Sequence, residues 1–439
     1  MPISVAIIGS GPAGFYTAEA IVKAIEDVEI DIIDRLPTPY GLIRFGVAPD
    51  HQTTKKVAQS YAKTAKHENV RFFGNIDIGP DISLDDLRAM YDAVVLAVGA
   101  PTDRKLGIPG EDKIGVYGSA AFVGWYNAHP DFRGLNPDLS GKAAAVVGVG
   151  NVAIDIARVL VKTRTEMLTS DLPDYAADAI EAGSIEDVYM FGRRGPVEAK
   201  FTNVELREMG NLEICRSVVD PTVLPDGVDP DLEMSDRDRR LKEKNLATLR
   251  SFTEMEPADE QRRVHFVFYA SPVEILGGEK VEGLRLERTR LEGGRAVGTG
   301  EFFDVPCDMV LAAIGYLSLP VEGAPFDERQ GIVPNDDGRV EPGLYAVGWI
   351  KRGPTGVIAT NRPDGVAVAG HILEDFSAAS GKPGRGGFLD HLAKQGLRPV
   401  DFAEWERIDA AEAAAAADPT PRRKFTTTED MLAFLEAQS

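Results

Sequence analysis

The sequence predicts an α/β fold of two doubly wound domains with parallel sheets, the second inserted into the chain of the first. Three observations predict it. The apolar run Val5-Ala6-Ile7-Ile8 feeds the glycine-rich turn Gly9-Ser10-Gly11-Pro12-Ala13-Gly14 and then a helix-like stretch over 15–25. The same order recurs at Ala144-Ala145-Val146-Val147, then Gly148-Val149-Gly150-Asn151-Val152-Ala153, then a helix-like stretch over 154–167. Two β-rich runs closed by glycine, 93–99 and 309–315, stand in corresponding places of the two halves. Strand, glycine turn and helix in that order make a Rossmann-like dinucleotide-binding unit, and two copies call for two dinucleotides.

The remaining elements follow this plan. The 439 residues exceed one compact core and suit two or three domains. A late strand over 343–349 and a helix over 355–372 complete the first sheet, so the domain begun at residue 1 is interrupted and resumed. The expected bounds are 1–100 with 327–439 for one domain and 101–326 for the other. Residues 377–387, rich in Gly, Ser and Ala, read as a flexible joiner, and 410–417 as an alanine-rich helix within a tail of structural or regulatory use.

Composition excludes several function classes. A net charge of −21 repels a phosphate backbone, and no large basic patch opposes it, so nucleic-acid binding is not expected. Two cysteines, Cys215 and Cys307, provide neither a CxxC redox pair nor the thiolates of an iron–sulfur cluster, and no metal site is expected. Without a membrane-length apolar run or a charged leader, the expectation is a cytoplasmic protein.

In the first loop, Gly9, Gly11 and Gly14 permit the tight turn and a close approach of backbone N–H groups to a pyrophosphate, with Pro12 and Ala13 opening the helix. Asp34 follows Gly14 by 20 residues, where a carboxylate accepts hydrogen bonds from a ribose diol. The late segment Thr355-Gly356-Val357-Ile358 sets a helix N-terminus against a ligand, a device suited to the negative charge of a reduced flavin. In the second unit, the strand-like Asp187-Val188-Tyr189-Met190-Phe191-Gly192 ends in Arg193-Arg194, where an NAD site would carry an acid; paired guanidiniums suit the 2′-phosphate of NADP. Arg193 lies 40 residues beyond Ala153, so 169–183 is expected to loop out.

With these residues in view, the chain resembles the adrenodoxin-reductase-type ferredoxin–NADP reductases, a branch of the glutathione-reductase-like flavoproteins. The segments that carry the likeness are Pro39-Tyr40-Gly41-Leu42-Ile43-Arg44-Phe45-Gly46-Val47-Ala48-Pro49-Asp50-His51, Gly150-Asn151-Val152-Ala153-Ile154-Asp155, Gly192-Arg193-Arg194-Gly195-Pro196, Glu205-Leu206-Arg207-Glu208-Met209 and Gly348-Trp349-Ile350-Lys351-Arg352-Gly353-Pro354-Thr355-Gly356-Val357-Ile358. The tail Val400-Asp401-Phe402-Ala403-Glu404-Trp405 is similar as well. The resemblance implies a non-covalent FAD contacted through Ala13, Asp34, Leu42, Ile78, Trp349, Gly356, Val357 and Ile358. It implies NADP contacts at Gly148, Val149, Gly150, Asn151, Val152, Arg193, Arg194, Glu205 and Gly356, with His51 and Glu205 flanking the nicotinamide–flavin contact. Asp34 stands where the family often has Glu.

The expected reaction takes hydride from NADPH onto flavin N5 and passes electrons singly to a ferredoxin-type iron–sulfur protein. It asks the protein for geometry and water exclusion more than for acid–base chemistry. His51 either shuttles a proton or is merely bonded at a helix start; Glu205 either orients the nicotinamide amide or sits on a solvated helix face; Asp155 ranks third. An acidic partner needs a local basic surface, for which Arg207, Arg237, Arg239, Arg240, Lys242 and Lys244 are candidates, with Lys351 and Arg352. Two alternatives remain at this point: an NADPH diaphorase reducing quinones or ferric chelates, and a non-catalytic FAD/NADP-binding regulator.

Overall fold

The strand Ile3–Ile8 is buried on both faces along its whole length, which is why it reads as an unbroken apolar run. It is the centre of a six-stranded sheet in the order Arg339–Glu341, Leu344–Ala346, Ala93–Leu96, Ile3–Ile8, Val28–Ile33, Val70–Phe73. The pairings are parallel except that of the edge strand Arg339–Glu341. Ile8 pairs with Ile33 on one side and Leu96 on the other, so the chain order reverses about this strand and a crevice opens at its carboxyl end. The computed structural model describes residues 2–255, 262–376 and 378–438.

A second six-stranded sheet, parallel throughout, runs Val116–Gly118, Met309–Ala312, Ala143–Val147, Asp187–Gly192, Arg262–Phe268, Cys215–Val219. Its switch point lies at the end of Ala143–Val147, where the second glycine loop begins. A three-stranded antiparallel sheet, Ala270–Leu276, Gly283–Glu292 and Arg295–Pro306, completes this half. The α/β class and the paired parallel sheets are as the sequence predicts.

The chain divides into two compact units, one of Met1–Thr102, Asn127–Asp131 and Tyr316–Ser439, the other of Asp103–Tyr126 and Phe132–Gly315. The return crossing falls at 315/316 rather than 326/327, because Val321, Ala324 and Phe326 pack against the first unit's core. Residues 127–131 also belong to the first unit; there the His129 ring lies 4.8 Å from Phe45.

Several elements differ from expectation. The first loop's helix is Pro12–Ala24, beginning three residues early because Pro12 is preset for a helix start. The second loop's helix, Asn151–Val161, ends six residues short of 167: Lys162 turns extended, and Arg262 donates to the carbonyls of Leu160 and Lys162 at its end. Within the stretch expected to loop out, Asp174–Ala182 forms a helix whose Ala176 and Ile180 enter the second unit's core. The late helix is Asn361–Asp375, entered by a 3-10 turn at Ile358–Thr360, so 355–357 lead into it rather than belong to it. Of the expected joiner, Ser377 lies outside the described residues and the rest is tied down: Ser380 bonds Asp92, Lys382 donates to the carbonyls of Arg88 and Tyr91, and Gly384–Gln395 is helical. The alanine-rich stretch 410–417 is helical only as far as Ala414, where it ends the helix Phe402–Ala414 that Asp401 caps with Glu404 in a capping box; 415–417 lie beyond it.

Candidate functional site: two glycine loops

The glycines of each loop divide into two kinds. Gly9 sits at φ +109, and a Cβ there would come 2.5 Å from the Ala97 carbonyl oxygen; at Gly14 it would come 2.1 Å from that of Gly9. These two positions are closed by the fold itself. Gly11 has an ordinary extended backbone, φ −75 and ψ −174, and a Cβ there meets no heavy atom within 4 Å. Nothing in the chain demands glycine at 11; the open space beside it does. No side chain caps the helix that starts there, leaving its positive end to an anion.

The second loop repeats the arrangement. Gly148 is at φ +143 with a Cβ position 2.3 Å from the Ala313 oxygen, whereas Gly150 is extended, open and without a side-chain cap on its helix. Ala97 and Ala313 occupy the same place in the two β-rich runs that closed with glycine. Ala153, fully buried, fills the third position.

Around the first loop, the Ser10 amide and hydroxyl donate to Asp34 Oδ2 at 2.8 and 2.5 Å, and the Leu36 amide donates to Oδ1 at 3.0 Å. Asp34 therefore knits the second strand's end to the loop and keeps lone pairs for one more donor. Tyr40 N donates to the Ser10 carbonyl at 3.0 Å, and a Cβ on Gly41 would stand 3.1 Å from Gly11 Cα, so the 40–45 segment starts beside the open glycine. There Leu42 is 41% exposed, an apolar side chain offered outward. Thr38 Oγ1 is buried without a hydrogen-bond partner among the described residues. From the far end of the chain, Gly348 packs on Ala13, and the Trp349 indole donates to the Thr355 carbonyl at 3.2 Å. Gly356, at φ +87, faces the Thr360 hydroxyl, which caps the Val357 amide at 2.6 Å and leaves the Val357 side chain exposed. Ile78 packs on the core beneath the sheet. His51 holds the N-cap position of the turn Gln52–Lys55, but its side chain does not cap it.

In the second unit, Thr289 donates to the Arg193 carbonyl at 2.7 Å and Tyr269 N to that of Arg194 at 3.2 Å, fixing the turn while the side chains stay outside any ion pair among the described residues. Asn151 Oδ1 accepts from Thr202 N at 2.8 Å and the Val149 carbonyl from Lys200 N at 2.9 Å, so the loop also anchors 200–202; Val152 packs on the core. Glu205 lies on the helix Asn203–Glu208 in a cluster that sequence reasoning missed. The fully buried Arg158 guanidinium stands 2.8 Å from Asp155, 3.4 Å from Glu208 and 3.9 Å from Glu205. Arg158 sits on the helix Asn151–Val161 at i+3 from Asp155, a spacing legible in the sequence, but its burial was not.

The basic candidates on the helix Asp236–Thr253 also separate. Arg239 donates to the carbonyls of Val228, Asp229, Pro230 and Leu232, stapling that loop. Lys242 donates to the Val197 carbonyl, and burial, with Arg194 nearby, lowers its pKa. Arg207, Arg237, Arg240 and Lys244 are exposed. Lys351 and Arg352 are engaged: both pair with Asp364, which also accepts from Gly348 N at 3.0 Å. No helix among the described residues is long and apolar enough to cross a membrane.

Comparison with known proteins places these features in company. Residues 3–182 match the family model described as pyridine nucleotide-disulphide oxidoreductase. The chain is 45% identical to the mitochondrial NADPH:adrenodoxin oxidoreductase of Arabidopsis thaliana, over 98% of this chain and 95% of that one. It is 40% identical to NADPH-ferredoxin reductase FprA of Mycobacterium tuberculosis, with 98% of both covered. The structure of that FprA in complex with NADPH superposes with a TM-score of 0.93, at 39% identity over 99% of this chain and 100% of the other.

Proposed function

We propose, from the premise that this chain belongs to the family of NADPH:adrenodoxin oxidoreductases and NADPH–ferredoxin reductases, that it is an FAD-dependent oxidoreductase carrying electrons from NADPH to a ferredoxin-type iron–sulfur protein. The observation that carries the reading is the repeated pattern of a closed first glycine and an open second one, Gly9 with Gly11 and Gly148 with Gly150. Twice, the one position whose Cβ would offend nothing in the chain is kept bare. That pattern and the uncapped helix ends fit two pyrophosphate-bridged dinucleotides.

Bound FAD supplies hydride acceptance at N5 and the release of electrons one at a time. The protein's part is binding, orientation and exclusion of water. In the first unit, Gly11 and the helix begun by Pro12 and Ala13 hold the FAD pyrophosphate, Asp34 takes the ribose with its remaining lone pairs, and Leu42 and Trp349 line the ring. Gly356, Val357 and Ile358 lead into the positive end of the late helix, which favours the electron-rich flavin. In the second unit, Gly150 and its helix hold the NADP pyrophosphate, and Arg193 and Arg194 clamp the 2′-phosphate. Glu205, steadied in the Arg158 cluster, orients the nicotinamide amide, and His51 holds the proton that accompanies transfer.

For the protein partner, Arg207, Arg237, Arg240 and Lys244 are the docking residues of this reading, since Arg239 and Lys242 are engaged within the fold. The cytoplasm is the proposed compartment, where the two buried unpaired thiols stay reduced. The test is NADPH-driven reduction of a plant-type [2Fe–2S] ferredoxin alongside a neutral quinone at rising ionic strength. Ferredoxin reduction is expected to fall steeply while quinone reduction holds. Equal response of the two, or quinone reduction alone, refutes the docking reading and leaves a diaphorase.

A further inference from the structure

The C-terminal tail returns to the segment beside the open Gly11, and it does so with buried charge. That segment begins at Tyr40, whose φ of +85 is a left-handed conformation that bulky side chains rarely adopt. Such a backbone persists only where its surroundings over-determine it. The Tyr40 ring is held by Phe15, by Tyr61 and, edge-on at 5.8 Å, by Trp405 of the tail helix. Four residues on, the Arg44 guanidinium lies 5.1 Å from the Trp405 ring and is all but buried.

Its partner is Glu412, 368 residues away in sequence and fully buried. Arg44 Nη1 and Nη2 donate to Glu412 Oε2 and Oε1 at 2.9 and 2.5 Å, a bidentate pair. Phe425 N adds a third hydrogen bond to Oε1 at 2.9 Å, and Arg422 stands 3.5 Å from Oε2. Lys424 closes the tie, its buried ammonium donating at 3.1 Å to the carbonyls of Arg44 and Asn127. A buried ion pair is a poor way to stabilise a fold, since apolar residues of the same volume serve as well; what it gives is direction. Here the direction fixed is that of Arg44, and through it the turn Leu42–Phe45.

We propose that the tail, residues 401–425, is a clamp that holds the strained Tyr40–Phe45 turn in its FAD-binding shape, with Glu412 as the positioning residue. The proposal rests on the FAD reading above. Glu412 touches no cofactor in this account; it acts through Arg44.

The test uses the full chain stripped of flavin and titrated with FAD by fluorescence, with the melting temperature of the stripped protein, the visible circular dichroism of bound FAD and the NADPH kinetics as further readouts. In Glu412→Gln the turn is no longer held. If its competent population falls to about a tenth, the FAD Kd rises about tenfold. The flavin dichroism changes and kcat falls, while the NADPH KM stays at the wild-type value. Glu412→Asp, which keeps the charge at shorter reach, falls between, and Glu436→Gln, exposed at the end of the last helix beyond the clamp, behaves as wild type. Should Glu412→Gln not fold, Lys424→Gln leaves the Arg44–Glu412 pair in place and is expected to weaken FAD in the same sense. An unchanged FAD Kd and dichroism in a folded Glu412→Gln overturns the clamp. So does failure of both variants to fold, which makes the tail a general element of the core. A wild-type chain that binds no FAD overturns the underlying reading, and the clamp with it.

Discussion

The division of the glycines into closed and open positions makes a matched pair of substitutions informative. Gly148→Ala forces a Cβ to within 2.3 Å of a backbone oxygen at φ +143, so it strains the fold whether or not any ligand binds. Gly150→Ala adds the same methyl at φ −119, ψ −179, a conformation alanine adopts freely, with nothing of the chain within 4 Å. Its stability is expected to stay level or rise by about 0.4–1 kcal/mol through the stiffer unfolded chain. The methyl then meets only the bound dinucleotide. Crowding of that kind in a packed site costs about 1–3 kcal/mol, which is a weakening of NADPH by roughly 5- to 150-fold. The assay is thermal melting of the ligand-free protein beside the NADPH KM and the FAD content of the purified enzyme. For Gly150→Ala the melting temperature and FAD content hold while KM rises; for Gly148→Ala the melting temperature drops. A Gly150→Ala enzyme with wild-type KM, or one destabilised as much as Gly148→Ala, refutes the assignment of the open glycine to a ligand.

Other substitutions test the remaining parts. Replacing Arg193 and Arg194 together by alanine removes charge-assisted bonds of about 1.5–3 kcal/mol each, so the NADPH KM rises at least tenfold while that of NADH hardly moves; parallel changes in steady-state kinetics count against the clamp on the 2′-phosphate. Arg240→Ala with Arg237→Ala raises the KM for ferredoxin and flattens its salt dependence without touching that for NADPH, whereas Arg239→Ala shows first in the melting curve, through the loop it staples. Burial pushes the Asp31 carboxyl up to about 6 even though Arg385 and Tyr91 donate to it. Because its folded pKa lies above the ordinary carboxyl value of 3.8, the folded protein takes up the proton more readily than the unfolded chain. This carboxyl's contribution to stability is full below pH 3.8 and is lost as the pH rises through 6. Wild type minus Asp31→Asn, followed by denaturant unfolding, should therefore gain on the order of 2 kcal/mol between pH 7 and 4; a flat difference contradicts it.

What the sequence made legible was local. Gly9, Gly11 and Gly14, with Asp34 a short chain length on, stand in one supersecondary unit, so spacing alone implied their neighbourhood. Burial of Arg158 and the stapling by Arg239 depend on segments that fold against them from elsewhere, and no periodicity reports that. Charge counting offered Arg239, Lys242, Lys351 and Arg352 as docking groups, yet each turns to a carbonyl or a carboxylate of its own unit. The helix Asp174–Ala182 was hidden because polar Asp174, Asp178 and Glu181 mask the two apolar residues, Ala176 and Ile180, that it buries. Arg44 and Glu412 meet across 368 residues, a distance at which only the fold can introduce them.

The most direct test of the central claim is to mix the purified FAD-loaded protein, without oxygen, with NADPH or with NADH, and follow the flavin absorbance near 450 nm. Rapid bleaching by NADPH and much slower bleaching by NADH is the predicted result. Flavin left unbleached by NADPH contradicts the account.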